Sequence, residues 1–286
     1  MSSIPAFFIN LATRPDRLAH MQSQFDRIGM TAERIDAVTP LGIPEQTRAA
    51  QEALPFALRL SSNEVACSLS HRAAWQLMLD RGLPWALFME DDAILSDQLP
   101  AVLSDPNLLE PGIDALQLET HRTSALLGRG INTPATGVFK HRLMSSSLGG
   151  AAYVLSAGFA RKLLSHPQID DVCMDSLIFS RDGGFIYSDR IYQISPALAF
   201  QVGKMGDMSE SVAKSDLTAG RNERRTRRPK TVGNRMAKLG LQVRHAGRIA
   251  ATFGPSGELF SARQVRMPVA ADIRAAVDPS ATSWSE

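Results

Sequence analysis

A chain of 286 residues, 44% hydrophobic and 21% charged, is long enough to bury a sizeable core and has the composition of a soluble globular protein. Two cysteines exclude a disulfide framework, and no apolar run approaches the ~18–20 residues that span a bilayer. The net charge of +2 hides an asymmetry: residues 221–248 hold ten Lys/Arg against one acid, and the remaining body is mildly acidic.

Residues 6–11 form an apolar run broken only by Asn10, the pattern of a buried parallel strand. Thr13, with Asp16 three residues on, reads as a capping-box-like start to a helix. Leu18, Met21, Phe25 and Ile28 share one face of it, and Gly29 ends it. Residues 31–38 return as a strand, so the chain opens with a βαβ unit, which implies a parallel sheet. Residues 40–62, punctuated by Pro40, Gly42, Pro44 and Pro55, read as an irregular loop beside a site. A helix over 63–81 follows, with Asn63 as its cap, stopped by Gly82 and Pro84. Residues 85–89 make a short apolar strand that terminates in Glu90-Asp91-Asp92. Residues 151–155 read as a later strand, with Ser156 capping a helix through Leu164. Cys67 and Cys173 each sit among apolar neighbours and read as reduced core thiols.

The fold class is therefore α/β, a sheet flanked by helices, with a basic helical C-terminal appendage. The catalytic unit spans 1–205, a polar basic linker 206–230, and an amphipathic helix with a loosely ordered tail 231–286. In that helix Val232, Met236, Leu239, Val243, Ala246, Ala250 and Phe253 recur at helical spacing, with Arg235, Lys238, His245 and Arg248 off the stripe. The N-terminal apolar run is short and has no basic residue before it, so it reads as a strand rather than a signal peptide. The expected location is cytoplasmic.

Three clusters carry candidate chemistry. Open α/β sheets bind ligands at the carboxyl ends of their strands. Three successive carboxylates there repel one another unless a cation or a hydrogen-bond network compensates. Mn²⁺ or Mg²⁺ suits such hard oxygen ligands and bridges to substrate phosphates. In an extended segment Glu90 and Asp92 point the same way and Asp91 faces elsewhere. A solvated acidic turn satisfies the same three residues. The second cluster lies on the 63–81 helix, where Glu64, Cys67 or Ser68, and His71 share a face. His71 orients the acidic loop, contacts a donor phosphate, or is a hydrogen-bonded core histidine. The third is Asp170-Asp171 with Asp175 four residues on, one helical face if the segment is helical. A carboxylate there serves as general base or simply complements a helix dipole. Nucleophile elbows, phosphate-cradling glycine loops and dinucleotide fingerprints are absent from the sequence.

In order, these segments resemble glycosyltransferase family 25, the lipooligosaccharide galactosyltransferases and their collagen-modifying relatives. Ile9-Asn10-Leu11-Ala12-Thr13-Arg14-Pro15-Asp16-Arg17 is similar to the family's first-strand signature, and Arg34-Ile35-Asp36-Ala37-Val38 to its second strand. Residues 63–75 resemble its most distinctive helix, Ala86-Leu87-Phe88-Met89-Glu90-Asp91-Asp92-Ala93 its acidic metal motif, and 150–164 with Ile169-Asp170-Asp171 its later strand, helix and acidic pair. Residues 196–201 and Ser209-Glu210-Ser211 resemble the closing elements, so the likeness covers roughly 4–212.

The resemblance implies a GT-A-like fold and an inverting, Mn²⁺-dependent transfer (possible with Mg²⁺) from a nucleotide-sugar donor, UDP-galactose, to a glycan or lipid-linked glycan acceptor. It implies metal ligation by Glu90 and Asp92, and a donor site from Asn10, Leu11, Arg14, Arg17, Glu64, Ser70, His71 and Asp91. The base is expected among Asp171, Asp170 and Asp175, in that order. Residues 221–253 are expected either to dock on an anionic membrane surface or to pack on the enzyme's own body with their charges in water. Nucleic acid is not an expected partner, because that segment lacks interleaved aromatics. Two other functions fit the same residues: a metal-dependent phosphoryl or nucleotidyl enzyme, and a non-catalytic membrane-associated adaptor.

Overall fold

The computed structural model describes residues 4–56, 58–110, 112–201 and 232–277. The strands are β1 (Ala6–Asn10), β2 (Glu33–Asp36), β3 (Trp85–Glu90), β4 (Ala93–Leu95), β5 (Ala115–Gln117), β6 (Ser124–Asn132), β7 (Phe139–Leu143), β8 (Ala152–Ser156), β9 (Ile191–Ser195), β10 (Ala199–Gln201) and β11 (Arg263–Arg266). The helices are α1 (Pro15–Ile28), α2 (Glu45–Ala53), α3 (Ser62–Asp80), α4 (Leu99–Leu103), α5 (Ala157–Leu164), α6 (Met174–Phe179), α7 (Phe185–Ser188), α8 (Val232–Phe253) and α9 (Ala271–Val277).

Nine strands pair in the order β11-β6-β7-β9-β5-β8-β3-β1-β2, and β4 with β10 forms a separate antiparallel ribbon. The opening βαβ unit is present: β1 lies parallel to both β2 and β3. Parallel pairing does not extend across the sheet, however. β8 inserts antiparallel between β3 and β5, and β6, β7 and β11 are antiparallel to their neighbours, so the sheet is mixed. Every residue of β1 is buried because helices cover both faces. Phe8 packs on the face of α1, edge-on to Phe25 at 5.3 Å. Phe7 and Ile9 pack on the opposite face with Trp75 and Met78 of α3.

Several local expectations change on folding. Pro15 takes the first helical position of α1, Arg14 precedes it without a side-chain cap, and Asp16 pairs with Arg14 instead of closing a box with Thr13. Gly29 does end the helix, at a left-handed φ of 66°. The segment 40–62 is not irregular throughout: it contains a 3₁₀ turn and α2, pinned by buried Ile43. The cap of α3 is Ser61 rather than Asn63. Ser61 accepts from the Glu64 amide, and the Glu64 carboxylate accepts from the Ser61 amide at 2.8 Å. Ser156 caps α5 as expected.

Within the described residues 232–277 the chain returns to the body. β11 adds to the sheet edge against β6, and Ile273 and Val277 of α9 enter the core. Asp272 accepts from the Ser96 hydroxyl at 2.9 Å and the Asp97 amide at 2.6 Å. α8 meets the body through His245, which shares a 3.0 Å hydrogen bond with the Tyr187 hydroxyl, and through buried Phe253. Arg248 lies over the Tyr187 ring at 4.2 Å. Val243, Ala246 and Ala250 of the anticipated apolar stripe are exposed instead, Val243 at 65%. The side chains of Val232, Met236 and Leu239, and the expected linker 206–230 with Ser209-Glu210-Ser211, lie outside the described residues. Among the described residues no helix is long and apolar enough to cross a membrane.

The capping box ties the start of α3 to its stability. Ser61→Ala should lower the unfolding free energy by about 0.5–2 kcal/mol in a urea titration, with an unchanged m-value.

Candidate active site

The carboxyl end of β3 delivers Glu90, Asp91 and Asp92 into a turn before β4. Their side chains meet different partners. Asp91 turns toward β1, accepting from Asn10 Nδ2 at 2.8 Å and Arg17 Nη1 at 2.9 Å. Asn10 is itself held by Arg34 Nε at 2.9 Å. Glu90 and Asp92 face a common partner, Gln201 of β10, whose amide nitrogen donates to Glu90 Oε2 at 2.8 Å and Asp92 Oδ1 at 3.4 Å. The β4–β10 ribbon makes that meeting possible, since Gln201 registers against Ala93.

His71 closes the other side. Trp75 Nε1 donates to the Tyr153 oxygen at 2.9 Å, and Tyr153 lies 2.7 Å from His71 Nδ1. Indole is a donor only, so Tyr153 accepts from Trp75, and the ring nitrogen of His71 left facing the acidic turn is Nε2. That Nε2 is buried without a hydrogen-bond partner, with Glu90 Oε1 3.5 Å away. Behind Glu90 stands a further pair, Glu119 and His121, with Nε2 3.1 Å from Glu119 Oε1. Glu119 is fully buried and accepts from the Ala151 amide at 2.5 Å. Gly149 makes room for it: at a φ of +133°, a Cβ there would sit 1.8 Å from Glu119 Oε1.

Burial and mutual repulsion set the charges. Burial pushes Asp92 up, and the Glu90 charge adds to this, giving a pKa of about 7. Burial pushes Glu90 up too, but His71, His121 and Arg17 outweigh it and hold its carboxyl below the ordinary range. Burial raises Glu119 as well. Glu90 and Asp92, two oxygen donors turned to one side among further buried carboxylates, are the donor set and charge excess that a hard divalent cation fits. Cys67, His71 and Glu90 form another cluster able to hold a metal ion, their donor atoms all within 4.8 Å of one another.

Cys67, His71, Glu90, Asp91, Asp92 and Gln201 line a cleft of about 130 Å³. Of the anticipated donor residues, Leu11, Arg17, Ser70, His71 and Asp91 line it. Asn10 lies behind it, holding Asp91. Arg14 is turned to Asp16, and Glu64 to Ser61 and the Cys173 thiol. Of the face expected to unite Glu64, Cys67 or Ser68, and His71, Cys67 and His71 both line the cleft, whereas Ser68 accepts from the Met174 amide. Cys67 lines the cleft and is half-buried, so it is not a core thiol; Cys173 is half-buried too.

None of Asp170, Asp171 and Asp175 lines the cleft. Asp170 is exposed and paired with Arg72 of α3. Asp171 is exposed in the turn before α6, and Asp175 is buried in the first turn of α6, bonded to the Ser176 amide at 2.7 Å. The helix starts at Met174, so Asp171 and Asp175 do not share a helical face. Gln201, Glu119, His121 and Tyr153 were not legible as site residues. A weak signal existed for Glu119 and His121, two apart just beyond a strand end.

The raised Asp92 value has two consequences. Cation binding must displace its proton below about pH 7, so affinity should rise toward that pH with proton release, in calorimetry across buffers. Asp92→Asn should abolish the pH dependence. In the cation-free protein the buried carboxyl resists ionisation, so stability falls as pH climbs from 3.8 through about 7. Asp92→Asn should remove that part of the fall, seen as a smaller change in Tm over the interval.

The glycosyltransferase family 25 (LPS biosynthesis protein) model matches residues 3–178. The lipooligosaccharide biosynthesis protein lic2B of Haemophilus influenzae is 26% identical over 210 residues, covering 70% of this chain and 76% of that protein. The lacto-N-neotetraose biosynthesis glycosyltransferase LgtE of Neisseria gonorrhoeae is 28% identical, covering 76% of this chain and 83% of its own. LgtB of Neisseria meningitidis serogroup B, of the same description, is 30% identical, covering 68% and 74%.

Proposed function

The chain belongs to glycosyltransferase family 25, and on that premise we propose that it moves galactose from UDP-galactose, with inversion, onto a lipooligosaccharide or related surface-glycan acceptor. The observation that carries this reading is the joint orientation of Glu90 and Asp92 toward Gln201 at the end of β3, with Arg17 beside them in the cleft. The mixed sheet, with its site at the carboxyl ends of β1 and β3, accords with a GT-A-like nucleotide-binding fold.

Glu90 and Asp92 are the residues to hold Mn²⁺, or Mg²⁺ in its place, which when bound supplies Lewis-acid stabilisation of charge on the departing diphosphate. Arg17 spans Asp91 and Asp92 at 2.9 and 3.9 Å and offers a charge-assisted contact to the same diphosphate. Leu11, Ala37, Val38, Pro40 and Ala66 give the cleft an apolar wall suited to the nucleoside. Asn10 and Arg34 brace Asp91 from behind, fixing the turn on which both ligands depend.

Inversion needs one displacement, with the acceptor hydroxyl losing its proton to a base on the face opposite the leaving group. We assign the base to Asp171. Asp170 is engaged by Arg72 and Asp175 by its own helix, whereas Asp171 is exposed beside the helix that walls the cleft.

We place the enzyme in the cytoplasm, peripheral on the inner face of the membrane and docked through residues 221–253. Supporting this, Val243, Ala246 and Ala250 are exposed on α8 with Arg244, while His245 and Phe253 take the contact with the body. Anionic headgroups attract such Lys/Arg clusters by about 1 kcal/mol per residue near the surface.

Titration calorimetry with UDP-galactose should show binding that requires Mn²⁺ and disappears in Asp92→Ala. Binding of other UDP-sugars alone would change the donor, and no response to any nucleotide-sugar would sink the enzyme reading. Asp171→Asn should lower kcat by about 10²–10⁴ with donor affinity kept; an unaffected rate would remove it as the base. The protein should co-sediment with anionic vesicles at low salt and be released at high salt. Absence of binding at low salt would refute the docking.

A further inference from the structure

Cys67 and His71 lie four residues apart on α3, so one helical turn presents both side chains on the same face. Glu90 meets them from the end of β3, and the three donor atoms lie within 4.8 Å of one another. His71 is fully buried, and its Nε2 lacks a hydrogen-bond partner. Its Nδ1 is anchored by Tyr153, which Trp75 anchors in turn, so the ring is oriented before any ion arrives. Cys67 lines the cleft, which gives an ion a way in.

A thiolate, an imidazole nitrogen and one carboxylate oxygen are not the ligands of a hard cation. They suit Zn²⁺ and related thiophilic ions, with three protein ligands and an open fourth position. The hard set differs in every member but one, Glu90. Its Oε1 is the oxygen near His71, and its Oε2 is the oxygen bonded to Gln201 beside Asp92.

We propose that Cys67, His71 and Glu90 form a second cation site, selective for thiophilic divalent ions and negatively coupled through Glu90 to the oxygen site of Glu90 and Asp92. An ion on the thiolate set draws on the shared carboxylate and repels the second dication, so each weakens the other by the same factor. A cell-level consequence is inhibition of the transferase by zinc-class ions even when Mn²⁺ is plentiful. The coupling and the inhibition rest on the functional reading above; the thiolate site does not.

Co²⁺ serves as a spectroscopic substitute for Zn²⁺ on the full-length protein. Titration should produce a sulfur-to-cobalt charge-transfer band that Zn²⁺ abolishes. Cys67→Ser should lose the band, and Cys173→Ser, whose thiol is bonded to Glu64, should keep it. No band in the wild type, or a band that survives in Cys67→Ser, overturns the site. Mn²⁺ affinity, followed by the paramagnetic resonance of free Mn²⁺, should fall about tenfold or more when Zn²⁺ is added, and Cys67→Ser should relieve this. An unchanged Mn²⁺ affinity in the Zn²⁺-loaded protein overturns the coupling. A protein that shows the thiolate band but never binds Mn²⁺ refutes the coupling and the function proposed above, while leaving the soft site standing.

Discussion

Four carboxylates crowd one end of the sheet, and the surrounding structure is arranged to tolerate them. Glu90, Asp91 and Asp92 follow one another at the end of β3, and Glu119 is buried behind them beyond β5. Arg17 is the guanidinium that reaches into this group, binding Asp91 and approaching Asp92. Gln201 bridges Glu90 and Asp92 from the β4–β10 ribbon, and His71 and His121 stand beside Glu90 and Glu119. What neutral donors cannot offset appears as the upward shift of Asp92, driven by burial and by the Glu90 charge. A dication held among the acids would relieve that repulsion directly.

The wall opposite the triplet is α3, and it serves the core and the cleft with different faces. Its capping box fixes where the helix starts, so Cys67, Ser70 and His71 face the cleft while Trp75 and Met78 enter the core. The Trp75–Tyr153–His71 chain runs from core to cleft, so the ring beside Glu90 is held by packing rather than by solvent. Loosening the core at Tyr153 would therefore be felt at the site, although that residue does not line the cleft.

Membership of glycosyltransferase family 25 rests on residues 3–178, yet the described body extends past them. β9 and β11 complete the sheet, α9 adds to its cover, and Gln201 of β10, in the separate ribbon, supplies a partner to both Glu90 and Asp92. α8 leans on α7 through His245 and leaves Val243 in solvent, an orientation opposite to that of an ordinary core helix.

Much of the architecture was legible in order along the chain. Apolar runs and helical spacing identify β1, α1, α3 and β3, and Gly29 and Ser156 mark a helix end and a helix start, because these signals act within a few residues. Asp91 and Asp92 lie in the turn after β3, so the partner each acid meets is set by Asn10, Arg17 and Gln201 rather than by alternation along the strand. Strand partners are not local. Nothing near β8 announces that it inserts antiparallel between β3 and β5, or that β11 closes an edge against β6. Gln201 reaches Glu90 across 111 positions, and Tyr153 reaches His71 across 82. Which polar groups become buried together, and hence which carboxyl gains or loses its proton, follows from those pairings. Residue types and short-range spacing alone determined the order of the elements and the acidic triplet at a strand end; only the tertiary structure decided which groups meet, because burial and Coulomb forces act between neighbours in space.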